Sequence, residues 1–188
     1  MSKEIKSVRT AIRRNKPSRP CKDLYENTIH MPSDCTILDY ECGKGDDVLF
    51  LKEKGYNVIG YDPAYHQGMP DIQDKYDLVM CNYVLCAISN KDERNITIIN
   101  MWDRVIANGC LSISVRSKDE IDKAQNSKWQ SYKDGWITEN YTFQKGFTED
   151  DLIKLVIDLP NIAYIETDTN NKDIITVRVI KKHGIIYG

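Results

Sequence analysis

Little in this sequence recommends a metal centre, a disulfide framework or a membrane span. It has three histidines, His30, His66 and His183, and its six cysteines include no Cys-x-x-Cys pair, so no metal site is expected. No apolar run approaches the roughly 18 residues of a membrane span. The charged start is followed by no apolar stretch of the kind a secretory signal needs. Cys21, Cys35, Cys42, Cys81, Cys86 and Cys110 therefore read as reduced, mostly buried thiols, and the expected compartment is the cytoplasm. Internal repeats and low-complexity runs are also missing.

What is present is unevenly spread. The formal net charge is only -2, yet Lys3, Lys6, Arg9, Arg13, Arg14, Lys16, Arg19 and Lys22 stand against Glu4 alone at the start of the chain. Such an arm is either a solvated basic segment or a contact for an anionic partner. With 188 residues the chain suits one domain, large enough to bury about 70% of its unfolded surface. The reading divides it into a basic arm, 1–34, with a short helix over 21–30, and a ligand-binding domain, 35–188.

Along that domain apolar runs of strand length alternate with helical patterns. TILDY (36–40) is a strand, and 46–54 is a helix opened by Asp46 and Asp47, with Gly55 as a left-handed cap. YNVIGY (56–61) and DLVMC (77–81) are strands. A long helix over 90–107, with Ile96, Ile99, Val105 and Ile106 near one face, is expected to stop at Asn108-Gly109. CLSISV (110–115) is the next strand, and Thr148 with Asp151 forms a capping box for a helix to about 158. The strands 162–167 and 174–180 form a hairpin across Asn170-Asn171. Strand–helix alternation of this kind argues for an α/β fold, a mainly parallel sheet with helices on both faces and a C-terminal antiparallel hairpin.

Ligands in open α/β sheets bind beyond the carboxyl ends of the strands. The first strand runs through Asp39, Tyr40 and Glu41 into Gly43 and Gly45, a turn that lets the backbone approach a ligand closely. The second ends at Asp62-Pro63. An acidic residue about 20 positions past a glycine turn is placed to accept hydrogen bonds from ribose hydroxyls. The third ends at Cys81-Asn82-Tyr83, polar groups that would face an adenine or a reacting group.

These segments resemble those of a known family. ILDYECGKGDDVLFL is similar to motif I of class I, S-adenosylmethionine-dependent methyltransferases, and GYDPAY to their ribose-binding motif. YDLVMCNYVLCAI and NGCLSISVR resemble the following strands. TAIRRNKPSRP, YVLCAI and TFQKGFTEDDL extend the likeness to the methyltransferases associated with DNA phosphorothioation systems. The resemblance implies a Rossmann-like methyltransferase domain and S-adenosyl-L-methionine as cofactor. Asp39, Tyr40, Glu41, Gly43, Gly45, Asp62, Pro63, Cys81 and Asn82 would hold that cofactor, and Asn82 and Tyr83 would stand at the reacting methyl. One position departs from the family: Glu41 replaces the usual first glycine. A glutamate there is strained if the turn needs positive φ, and it either obstructs the methionine end or pairs with its ammonium group.

The acceptor is less legible. No DPPY or NPPY stretch follows the third strand, as amino methylation of adenine would need. A Pro-Cys pair exists at Pro20-Cys21 but precedes the glycine turn. The segment 116–147 interleaves Trp129, Tyr132, Trp136, Tyr141 and Phe143 with lysines, a pattern suited to stacking on bases while touching phosphates, and it reads as an insertion or lid. Arg13, Arg14, Trp129, Trp136, Phe143 and Lys145 are thus candidates for a nucleic-acid or nucleotide acceptor. A small-molecule methyltransferase, or a binding module disabled by Glu41, are the alternatives.

Overall fold

The computed structural model of the chain describes residues 11, 13–27, 32, 34–65 and 74–183. Lys3, Lys6 and Arg9 of the basic arm lie outside the described residues, as do 28–30 of the expected first helix. In chain order the described elements are α1 (Arg19–Asn27), β1 (Thr36–Tyr40), α2 (Asp46–Glu53), β2 (Asn57–Tyr61), β3 (Tyr76–Asn82), α3 (Lys91–Trp102), β4 (Val105–Arg116), α4 (Lys118–Ala124), β5 (Gln130–Tyr132), β6 (Gly135–Ile137), β7 (Phe143–Gln144), α5 (Glu149–Val156), β8 (Ile162–Asp168) and β9 (Ile174–Lys181). Six strands form one sheet in the order β2-β1-β3-β4-β9-β8. The first four are parallel, and β9 and β8 run antiparallel as the expected C-terminal hairpin.

The period of a strand sends successive side chains to opposite faces, and here that alternation builds two cores. On β1 and β3, Ile37, Leu78 and Met80 point to the face covered by Cys21 and Leu24 of α1 and Leu51 of α2. Leu38, Tyr40, Val79 and Cys81 point the other way, to Ile98, Met101 and Trp102 of α3 and Leu152 of α5. The basic arm therefore ends in a helix that belongs to the core on the α2 face of the sheet, with Cys21 and Leu24 buried. Asp39 and Asn82 share the α1/α2 face by the same alternation, which aims them at the site described below.

Two expectations are corrected. The helix α3 ends at Trp102, and Asn108-Gly109 lies inside β4, where the pairing with β3 shifts register. The buried face of α3 is Ile98, Met101 and Trp102, while Ile96 and Ile99 are exposed. A phase one or two residues off in the apolar pattern produced the longer helix, because Val105 and Ile106 suit a strand equally well. The segment 116–147 is also more structured than expected. It holds α4 and a three-stranded antiparallel sheet, β5-β6-β7. Arg94 of α3, only 2% exposed, ties this sheet down: its guanidinium donates to the Ile88 carbonyl (2.7 Å) and pairs with Asp134, which Lys145 also approaches at 3.5 Å.

Candidate active site

The carboxyl ends of β1 to β4 open into a cavity of about 770 Å³. Its floor is the turn after β1, where Glu41 (φ 55°), Gly43 (φ 58°) and Gly45 (φ 78°) alternate in the left-handed region. The two glycines take that geometry freely; for Glu41 it costs roughly 1–2 kcal/mol. Tyr83, just past β3, is a second left-handed residue at the cavity wall (φ 68°). Two strained side chains at adjacent strand ends mark the place where the backbone gives up local comfort for position.

Asp62 closes the turn from β2. One carboxylate oxygen accepts the Gly43 N–H (2.9 Å), and the other accepts those of Ala64 (2.8 Å) and Tyr65 (3.2 Å). A carboxylate has about four lone-pair positions, so this buried group keeps acceptor capacity for a ligand hydroxyl. Above the turn, a Cβ at Gly43 would meet Ala11 at 3.3 Å, so the N-terminal arm passes close over the glycines.

The arm is fastened by the first turn of α2. Asp47 accepts the backbone N–H and hydroxyl of Ser18 (2.5 and 2.6 Å) and the Asn82 amide (3.2 Å). Asp46 accepts the Arg14 N–H (2.7 Å) and lies 3.5 Å from the Arg13 guanidinium. The Arg14 guanidinium stands 5.9 Å over the Tyr83 ring. Asp39 on the cavity floor is buried, and burial raises its carboxyl well above the usual range; Asp47 adds to the rise and Arg14 opposes it. Burial, then Asp62 and Glu93, lift the Glu41 carboxyl to about 7. At the far end Arg116 of β4 is forked onto Glu120 and donates to Gln144 (2.8 Å), beside the β8–β9 turn, where Asn171 accepts the Asp173 N–H (3.0 Å) while its buried amide nitrogen has no partner among the described residues.

Of the residues singled out from the sequence, Asp39, Glu41, Gly43, Asp62, Pro63, Asn82, Tyr83 and Arg14 line this one cavity. Gly45 caps α2 beside it. The side chains of Tyr40 and Cys81 do not reach it, because the pleat turns them into the α3 core, where they are 4% and 0% exposed. Phe143 is fully buried and presents no ring for stacking, and Lys145 is held by Asp134. Trp129 and Trp136 are partly exposed but lie outside the cavity lining, as does Arg13. The sequence reading missed Ser18, Glu93, Glu120 and Asn171, and it saw Asp46 and Asp47 only as helix openers. Cys21 of the Pro-Cys pair is fully buried, and burial raises all six thiols, so none is a ready nucleophile.

A family model described as a methyltransferase domain matches residues 7–154. The chain belongs to this family. Among solved structures it is similar to a methyltransferase of Methanosarcina mazei, at 19% identity over 82% of this chain and 95% of that one, with a TM-score of 0.61. It is similar too to the 1,6-didemethyltoxoflavin N1-methyltransferase of Burkholderia thailandensis, solved with its acceptor and S-adenosylhomocysteine (15% identity, 87% of this chain, 77% of that one, TM-score 0.61). A Clostridium acetobutylicum methyltransferase covers 97% of this chain and 94% of its own, at 16% identity and a TM-score of 0.59. No curated protein matches this chain in sequence. Among the described residues no helix is long and apolar enough to cross a membrane, and no three metal-ligating side chains gather.

Proposed function

We propose that this methyltransferase uses S-adenosylmethionine to methylate a small, uncharged or cationic acceptor drawn whole into the cavity. The cavity suits the cofactor: left-handed glycines leave the turn open, Asp62 keeps a free acceptor position for a ribose hydroxyl, and 770 Å³ lies in the upper part of the range for ligand sites. When bound, the cofactor supplies an electrophilic methyl group on a sulfonium. The chain's own task is then to orient and to exclude water. Asp39 and Asp62 line the floor, Asn82 and Tyr83 line the wall and would face the acceptor, and Ala11 and Arg14 of the arm line the cavity beside the turn.

One observation carries the choice of acceptor. Carboxylates outnumber cationic side chains two to one around the cavity, and Arg116, the cation at its far end, is already neutralised by Glu120. Such a lining repels phosphate and favours a neutral heterocycle or an amine. The Burkholderia neighbour, which acts on a heterocycle, supports the same reading. Six free thiols fit a reducing, cytoplasmic setting. The test is transfer of labelled methyl from S-adenosylmethionine to a panel of amines and N-heterocycles, with DNA and RNA in parallel. Label in small molecules is expected; label in polymer alone overturns the choice.

A second reading, with a nucleic-acid acceptor, is favoured by the exposed Arg13 and Arg19 beside the mouth and by the likeness of the arm to the phosphorothioation-associated group. It requires binding to labelled DNA or RNA that weakens with salt at a log-log slope near -0.9 per phosphate contact on duplex DNA.

A further inference from the structure

Glu41 stands where the turn wants a glycine, and it keeps its left-handed backbone at a cost. The residue lines the cavity and is partly buried. The groups that face it are acidic or weakly acidic: Asp62 from the end of β2 and Glu93 from α3, with the Tyr40 and Tyr61 phenols and the Cys81 thiol behind, and Arg104 beyond the tyrosines. No cation is among its resolved influences. A strained, partly buried carboxylate without a cationic partner among the described residues is poised for a cationic ligand.

We infer that Glu41 makes the cavity read the charge of its cofactor, favouring S-adenosylmethionine over the spent S-adenosylhomocysteine. The inference rests on the cofactor reading above and deepens it. The two ligands differ by one methyl group and one formal positive charge at sulfur, so contacts to adenine, ribose and the methionine tail cancel between them. What remains is the field at the sulfur. An ionised carboxylate on the floor strengthens binding of the sulfonium and does little for the neutral thioether. Product release is then eased by the reaction itself, because transfer of the methyl removes the charge that Glu41 holds. The raised ionisation of Glu41, to about 7, adds a signature: binding the cation drives the carboxyl to ionise, so a proton leaves on binding S-adenosylmethionine near pH 6.5 and stays on binding the product.

Calorimetric titration of both ligands against the wild-type protein, Glu41→Gln and Glu41→Gly tests this. Runs between pH 6 and 8 in two buffers of different ionisation enthalpy count the protons. Both variants relieve strain or preserve shape, so folding is not at issue. In the wild type a preference of roughly 10-fold for S-adenosylmethionine at pH 8 is expected, shrinking towards pH 6, with proton release confined to that ligand. Glu41→Gln should lose the preference and the proton release while binding S-adenosylhomocysteine as before. An unchanged preference in Glu41→Gln overturns the inference, and so does tighter S-adenosylmethionine binding by that variant, which makes Glu41 an obstruction. A wild-type protein that binds neither ligand overturns the cofactor reading itself.

Discussion

Ser18 and Asp47 lie 29 positions apart in the chain and are joined twice, through the Ser18 backbone N–H and its hydroxyl. The same carboxylate reaches Asn82 at the end of β3. One buried acid thus ties the N-terminal arm, the helix after the glycine turn and the wall of the site into a single piece. Replacing it leaves three donors short of an acceptor.

Asp47→Ala should therefore destabilise the protein by roughly 2–4 kcal/mol in denaturant unfolding, the scale for stranding buried donors beside a lost charge. The arm should also come loose, with trypsin cutting after Arg13 or Arg14 much faster than in the wild type. A variant with wild-type stability and an uncut arm would mean that packing of α1 alone holds the segment.

Asp62→Asn keeps the size of the side chain but weakens its acceptor strength towards Gly43 and towards a ribose hydroxyl. Affinity for S-adenosylmethionine should fall about 10- to 100-fold, the equivalent of one charge-assisted hydrogen bond. Calorimetry measures it, with circular dichroism checking the fold. Unchanged affinity would remove Asp62 from the ribose site.

Asp134 neutralises Arg94, which is only 2% exposed, whereas Asp134 itself is 41% exposed on its side chain. Stranding a buried charge costs about 3–5 kcal/mol, and water reaching the Asp134 side of the pair reduces that to about 2–3 kcal/mol for Asp134→Ala. Partial burial works against ionisation of Asp134, but Arg94 and Lys145 together hold its carboxyl below the ordinary value. Its contribution is thus present above about pH 4 and lost as pH falls through the lowered value. In urea melts the gap between wild type and Asp134→Asn should close below pH 4.

Glu41 carries the opposite sign. Its carboxyl is raised to about 7, so the unliganded fold binds that proton more tightly than the unfolded chain does. Stability is then lost as pH rises from about 4.5 towards 7, where the charge must be buried. Glu41→Gln should melt at a temperature close to the wild type's at pH 4.5 and at least about 2 °C above it at pH 8, the shift expected from 1 kcal/mol in a domain of this size. Parallel melting curves at both pH values would place Glu41 in open solvent.

The parallel half of the sheet was legible because its signals are local. A short apolar run, a glycine turn and an acid 23 residues after Asp39 place three strand ends without any knowledge of contacts. Asp39, Glu41, Gly43, Asp62 and Asn82 follow from that alone. The segment 116–147 was not legible in the same way. Its sheet of two- and three-residue strands has too few residues to show a period, and what holds it is Arg94, more than twenty positions away. An aromatic residue among lysines looks alike whether it faces water, as Tyr132 partly does, or sits fully buried, as Phe143 does.

By itself, then, the chain determined the alternation of strands and helices, the glycine turn and the acid at the end of β2, since each depends on the conformational preferences of neighbouring residues. Tertiary structure alone decided that Ser18 reaches Asp47 and that the arm covers the turn. It also decided that Glu120 silences Arg116 and that carboxylates dominate the cavity. These are encounters between side chains distant in sequence, and the free energy of each depends on burial and on the charges already there. No local pattern encodes those quantities.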